Sequence, residues 1–295
     1  MKKSIILAGM LLALITSCKM ENPLLSESTL PYGAPQFDKI KNEHYLPAFQ
    51  QAIKDGKAEI DAIVANPDEP SFENTIEALA YSGRAVSRVG GIFYNLKESN
   101  TNDGMEQIAE ELSPLLTEYE MYASLNAPLF ERVKAVYDKR DGLGLTREQM
   151  RLLEDTYKGF VRSGALLSDA DKEKYSKLEE ELSLTQLQWQ KNALAATNAW
   201  AMNLTDEADL AGLPDYVREM GAATAAERGE SGWTFDLSQP SYVAFLKFST
   251  RRDLREKIYR AYNSKALGGE FDNSEICRTI FNISRYIRCL SKEEL

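Results

Sequence analysis

His44, in the stretch KIKNEHYLPAFQQAI from Lys39 to Ile53, is the only histidine in 295 residues. An imidazole can serve as general base, proton shuttle or metal ligand, and each use needs particular partners. A hydrolytic zinc site takes two histidines plus a carboxylate, or a thiolate-rich set, so that a fourth position stays open for water. One histidine cannot supply that set. The cysteines are Cys18, Cys277 and Cys289, too few and too scattered for a thiolate site. No Gly-x-Ser-x-Gly elbow, Gly-x-x-x-x-Gly-Lys loop or Gly-x-Gly-x-x-Gly turn occurs. A Ser-His-Asp triad would have to use His44, which falls on an expected first helix.

Weaker constellations remain. Ser99-x-Thr101-x-Asp103-Gly104 followed by Glu110 mimics the spacing of a calcium loop, yet only Asp103 and Glu110 bring charge where such loops carry three or four carboxylates, so a helix-linking turn is expected. Glu110-Glu111 and Glu179-Glu180-Glu181 look like paired acids, but neighbours on a helix diverge by ~100° and read as solvated faces. Trp189, Trp200 and Trp233 could line a ligand groove. Trp189 and Trp200 are eleven positions apart, which returns to one helical face, so core packing is the favoured reading.

The elements that would position these residues are overwhelmingly helical, and the fold class expected is all-α. Apolar residues recur at three and four positions along almost the whole chain. Thr146 with Gln149 forms a capping-box signature before Leu153, Tyr157, Val161 and Ala165. Ser168 with Asp171 opens a long amphipathic helix whose stripe runs through Tyr175, Leu178, Leu182, Trp189, Ala193, Ala196 and Trp200. Thr250 with Asp253 is expected to start another, with Leu254, Ile258, Ala261 and Tyr262 facing inward. Breaks are expected at 66–70, 141–144, 212–214 and 229–232, where proline and glycine cluster. Only Trp233 to Leu237 alternates as a short strand or hairpin arm does. No fixed-period repeat is found.

The chain starts with a positively charged, apolar segment, MKKSIILAGMLLALITSCKM, too short to span a bilayer as a stable helix. It reads as a bacterial export signal, and Ile15-Thr16-Ser17-Cys18 resembles a lipobox, after which Cys18 would carry diacylglycerol. The organisation expected is a lipoprotein signal peptide over residues 1–17, a flexible tether over 18–36, one helical domain over 37–276 and a divergent or truncated tail over 277–295. The location implied is the cell envelope, facing the periplasm, with the outer membrane favoured. The 45 acidic against 35 basic residues give a net charge of −10, which repels phosphate backbones and makes nucleic acid an unsuitable partner. No structural disulfide is expected from Cys277 and Cys289.

Several phrases resemble the N-terminal half of the thimet-oligopeptidase and neurolysin-like zinc metallopeptidases, nearest in wording to the bacterial peptidyl-dipeptidase (dipeptidyl carboxypeptidase) and oligopeptidase A branch. They are HYLPAFQQAI (44–53), EIDAIVANPDEPSFENTIEAL (59–79), RVGGIFYNL (88–96), NAPLFERVKAVY (126–137), LLEDTYKGFVRSGA (152–165) and FDLSQPSYVAFLKFSTRRDLREKIYRAY (235–262). Six such phrases occur in the family's order, over about 37–273. The resemblance implies one half of a bivalve-shaped helical enzyme whose channel admits short unstructured peptides. It also implies a catalytic zinc held by an H-E-x-x-H helix and a downstream glutamate, all in the C-terminal half.

This sequence contains no H-E-x-x-H, so no catalytic or metal residue is carried over, and His44 matches a position that is not a zinc ligand. Capping or packing is its expected work. From Cys277 onward the wording departs from the family, and a truncated, frameshifted or split gene is expected. On this reading no cofactor belongs to the chain itself, one zinc belongs to the full-length enzyme, and short peptides are bound once a complementary catalytic half is supplied. Isolated, such a chain is expected to expose apolar surface and to associate or aggregate. The alternative is a non-enzymatic helical lipoprotein that binds a glycan or peptide on an aromatic surface.

Overall fold

A computed structural model describes residues 22–290, and over them the protein is all-α with a single two-stranded sheet. Its helices are α1 (Asn42–Val64), α2 (Ala78–Tyr81), α3 (Arg84–Asn100), α4 (Asp103–Ser124), α5 (Ala127–Asp138), α6 (Arg147–Arg162) and α7 (Asp169–Ala199). They continue as α8 (Asp215–Glu227), α9 (Gln239–Phe248), α10 (Arg252–Asn263) and α11 (Ser274–Leu290), and the strands are β1 (Ala201–Leu204) and β2 (Trp233–Asp236). The described residues form two compact units, one from residues 22–56 together with Gly83–Ile108, the other from Lys57–Ser82 and residues 109–290.

In the first unit Tyr45 and Phe49 of α1 pack edge-on against Phe93 of α3, at centroid distances of 4.9 and 5.9 Å. Val89 and Met105 are buried in the same unit. Leu24, placed by sequence in a flexible tether, is buried as well. Two hydrogen bonds hold that segment: Asn22 Nδ2 donates to the His44 carbonyl at 2.7 Å, and Arg88 Nη2 donates to the Leu24 carbonyl at 3.3 Å. An apolar side chain whose own carbonyl is bonded and whose neighbour Asn22 is tied to α1 stays down beside Pro23.

The second unit has two apolar clusters. One gathers Ile60, Phe72, Ile76, Phe130, Val133 and Leu153 from α1, the turn before α2, α5 and α6. The loop 66–74 beside it is tied by Arg132 of α5, which donates to the Asn66 carbonyl at 2.9 Å and to Asn74 Oδ1 at 3.2 Å. The other gathers Met202, Val217, Phe235, Phe245 and Ile258 from both strands, α8, α9 and α10.

β1 and β2 pair antiparallel, with Met202 opposite Phe235 and Leu204 opposite Trp233. β2 is the strand that alternation predicts. β1 is not anticipated, because the long stripe of α7 reads as continuing through Trp200, whereas the helix ends at Ala199 and Trp200 is extended, with φ −96° and ψ 132°. Three of the four expected breaks, at 66–70, 212–214 and 229–232, fall in loops or turns, and the fourth, at 141–144, begins within a short 3-10 helix, Arg140–Gly142. Capping is partly as expected. Thr146 and Gln149 make the reciprocal capping box of α6, and Ser168 accepts from the Asp171 N–H at the start of α7. Thr250 does not cap α10: Arg251 holds that position without a side-chain bond, while the Thr250 hydroxyl donates to the Ala211 carbonyl at 3.0 Å. Its inward face is as expected, with Ile258 buried and Leu254, Ala261 and Tyr262 packed against the second cluster.

Candidate functional site

His44 lies in the first turn of α1, and its ring closes the bend that leads into the helix. Nδ1 accepts from the Lys41 backbone N–H at 3.1 Å, and the His44 N–H donates to the Lys41 carbonyl at 3.0 Å. Nε2 stands 4.0 Å from Glu43 Oε1, at the solvent edge. A ring nitrogen engaged with backbone in this way terminates a turn, which is the capping role expected of it.

The calcium-like spacing is a turn between α3 and α4. Asn102 Oδ1 accepts from the Met105 N–H at 3.1 Å as the cap of α4, and Thr101 Oγ1 donates to Glu106 Oε1 at 2.7 Å. Glu106 also pairs with Lys97 at 3.1 Å, both side chains being largely buried. Glu110 instead pairs with Lys191 of α7.

Among the glutamates of α4 and α7, Glu120 has its carboxyl raised above the usual range by desolvation and by the nearby charge of Glu179. Trp200 and Trp233 are partly buried against the second cluster, whereas Trp189 is 41% exposed. The same-face argument fails because Trp200 lies beyond the end of α7 and no longer follows its phase.

Cys18 lies outside the described residues. Cys277 and Cys289 are exposed free thiols on α11. Twelve residues of one helix set them about 18 Å apart along its axis, out of reach of a disulfide. Among the described residues no three histidine, cysteine, aspartate or glutamate side chains are placed to hold a metal ion. The described residues bring one imidazole, turned to backbone, and two distant thiols, whereas a hydrolytic zinc of the His-His-carboxylate kind needs two imidazoles.

One arrangement that could hold a ligand lies in the second unit, where the end of α7 meets the loop between α10 and α11. A cavity of about 360 Å³ is walled by Ala196, Trp200, Leu237 and Phe271, with Lys265 and Glu270 as its charged residues. The loop is firmly built. Ala266 is buried with a left-handed φ of 53°, and its carbonyl accepts from the Asn273 N–H at 2.8 Å. Buried Asn273 donates in turn to the Trp189 carbonyl at 3.0 Å. Lys265 Nζ sits 3.9 Å from the centroid of the Tyr262 ring, which is itself stacked on Tyr242 at 3.8 Å. Burial pushes the Lys265 ammonium below the usual lysine range. Lys265 is not evident from sequence, since a single lysine before Ala-Leu-Gly-Gly carries no periodic or motif signal.

This chain has peptidases as its sequence relatives. It is 39% identical over 241 residues to dipeptidyl carboxypeptidase of Escherichia coli, covering 81% of this chain and 35% of that protein. It is 36% identical over 266 residues to dipeptidyl carboxypeptidase of Salmonella typhimurium, covering 90% and 39%. Against oligopeptidase A of Escherichia coli it is 30% identical over 269 residues, covering 88% and 38%. No protein-family model matches the chain. Over most of its length this chain is therefore homologous to the dipeptidyl carboxypeptidases and oligopeptidases A, and it spans between a third and two-fifths of the length of these curated relatives.

Proposed function

We propose that this chain is a substrate-facing helical portion of a peptidase of the dipeptidyl carboxypeptidase and oligopeptidase A type, acting on short peptides, and that it does not hydrolyse them by itself. The observation that carries the first half is the 36–39% identity to two dipeptidyl carboxypeptidases along 81–90% of the chain. The second half rests on donor chemistry: a sequence with one histidine cannot assemble the His-His-carboxylate set such hydrolysis uses. The zinc and its ligands then belong to sequence outside this chain, in a complementary catalytic portion. The experiment is to incubate the purified chain with short fluorescent peptides and follow binding and cleavage separately. Retention of intact peptide agrees with the proposal, and turnover contradicts it.

The same reading places the protein in a bacterial cell envelope, lipid-anchored through Cys18, with the outer membrane favoured. The export-type segment and the small residues before Cys18 support this. Expression with a labelled fatty acid tests it: label should enter the wild-type chain and be absent from C18S, and equal labelling would refute it.

A second reading, a non-enzymatic lipoprotein that binds a glycan or peptide on an aromatic surface, draws on the exposure of Trp189. It requires a saturable ligand lost in W189A.

A further inference from the structure

We infer that the cavity at the junction of α7 with the α10–α11 loop binds an apolar monocarboxylate, with Lys265 as its anion anchor. Three features of the site specify that chemistry. The first is the shape and lining: about 360 Å³ is within the size range of small-ligand pockets, and Ala196, Trp200, Leu237 and Phe271 form an apolar and aromatic side opposite the polar groups of Ser264, Lys265 and Glu270. The second is charge. Lys265 is held over the Tyr262 face, is partly desolvated by burial, and has no carboxylate within ion-pair distance among the described residues. One bound carboxylate would supply that charge. The third is the limit set by Glu270 in the same wall, which opposes a second negative charge and disfavours a phosphate or a dicarboxylate.

The local backbone keeps the anchor in place. Ala266 is left-handed, a conformation unfavourable for an alanine, and its carbonyl accepts from the Asn273 N–H, which helps to fix it. The Tyr242–Tyr262 stack limits the lysine to one side of the ring. A ligand would therefore meet a pre-positioned cation at one end and Trp200 or Phe271 along its body.

The shared chemistry is that of the C-terminal residue of a peptide ending in an apolar side chain, or of a small free aromatic acid. This inference does not rest on the peptidase reading, because it concerns binding alone and is tested without any cleavage. The probes are N-acetyl-L-phenylalanine, its carboxamide, and 3-phenylpropanoate, titrated into the full chain while tryptophan fluorescence and ligand NMR line widths are followed. Saturable binding of N-acetyl-L-phenylalanine is expected, weakened roughly ten- to hundredfold for the amide and in K265M, as loss of a charge-assisted contact implies. K265R should stay within a few-fold of wild type. E270Q, a change at an exposed side chain, should bind the acid several-fold more tightly and the amide no differently, which keeps the test alive if K265M fails to fold. If both acids bind, a free acid suffices; if only the acetylated amino acid binds, the site reads a peptide terminus. Equal binding of acid and amide, no saturable binding of either acid, or an E270Q affinity unchanged from wild type would overturn the inference.

Discussion

His44 accepts from the Lys41 N–H and so satisfies a backbone donor at the entry to α1. H44A should therefore lower unfolding stability by about 0.5–1.5 kcal/mol, the value of one such bond, as measured by chemical denaturation. A larger role for this residue would show as loss of a bound metal, which is not expected. The Lys97–Glu106 pair is a more costly target, since its side chains are only 11% and 15% exposed. K97A strands a largely buried carboxylate and should cost up to roughly 3 kcal/mol, whereas truncating the solvent-exposed pair Lys177–Glu173 should leave stability essentially unchanged. Single residues were legible where their type forced the role, as with the lone imidazole. Lys265 was not, because its setting is made by Tyr262, Trp200 and Phe271, which no local pattern joins to it.

At the scale of elements, the capping box of α6 and the break before β2 were open to sequence reading because each is settled within a few residues. T146A should cost about 1 kcal/mol by removing the cap of α6. G232A should cost more: Gly232 has φ +87°, and a Cβ there would stand 2.3 Å from the Leu204 carbonyl oxygen, so the β1–β2 pairing must shift. β1 and the start of α10 were misread for the opposite reason. AMNL becomes a strand only because WTFD lies opposite it, and Thr250 is drawn from its cap by the Ala211 carbonyl, thirty-nine residues away.

Glu120 gives the pH prediction at this scale. Desolvation and Glu179 both disfavour its charged form in the fold, so its folded titration lies above the unfolded one and its contribution to stability, present at low pH, is lost as pH rises. E120Q should accordingly raise the melting temperature at neutral pH and leave it unchanged well below the unfolded glutamate value of about 4.3.

For the whole molecule, the residues behind the family resemblance are largely those that build the cores. Phe130 and Arg132 come from NAPLFERVKAVY, Phe72 and Asn74 from the phrase before α2, and Phe245 and Ile258 from the long phrase spanning α9 and α10. A resemblance carried by packing residues speaks to fold and descent and leaves catalysis to be decided by ligands. The placement of Cys277 and Cys289 on one helix adds a whole-molecule expectation: mild oxidation should yield disulfide-linked dimers on a non-reducing gel and no internal bridge. The central claim concerns the chain's lack of a hydrolytic metal set. Its most direct test is metal analysis of the purified 295-residue chain together with chelator-sensitive cleavage of a short peptide. Substoichiometric zinc and no cleavage are predicted; one zinc per chain with hydrolysis abolished by chelation would contradict the account.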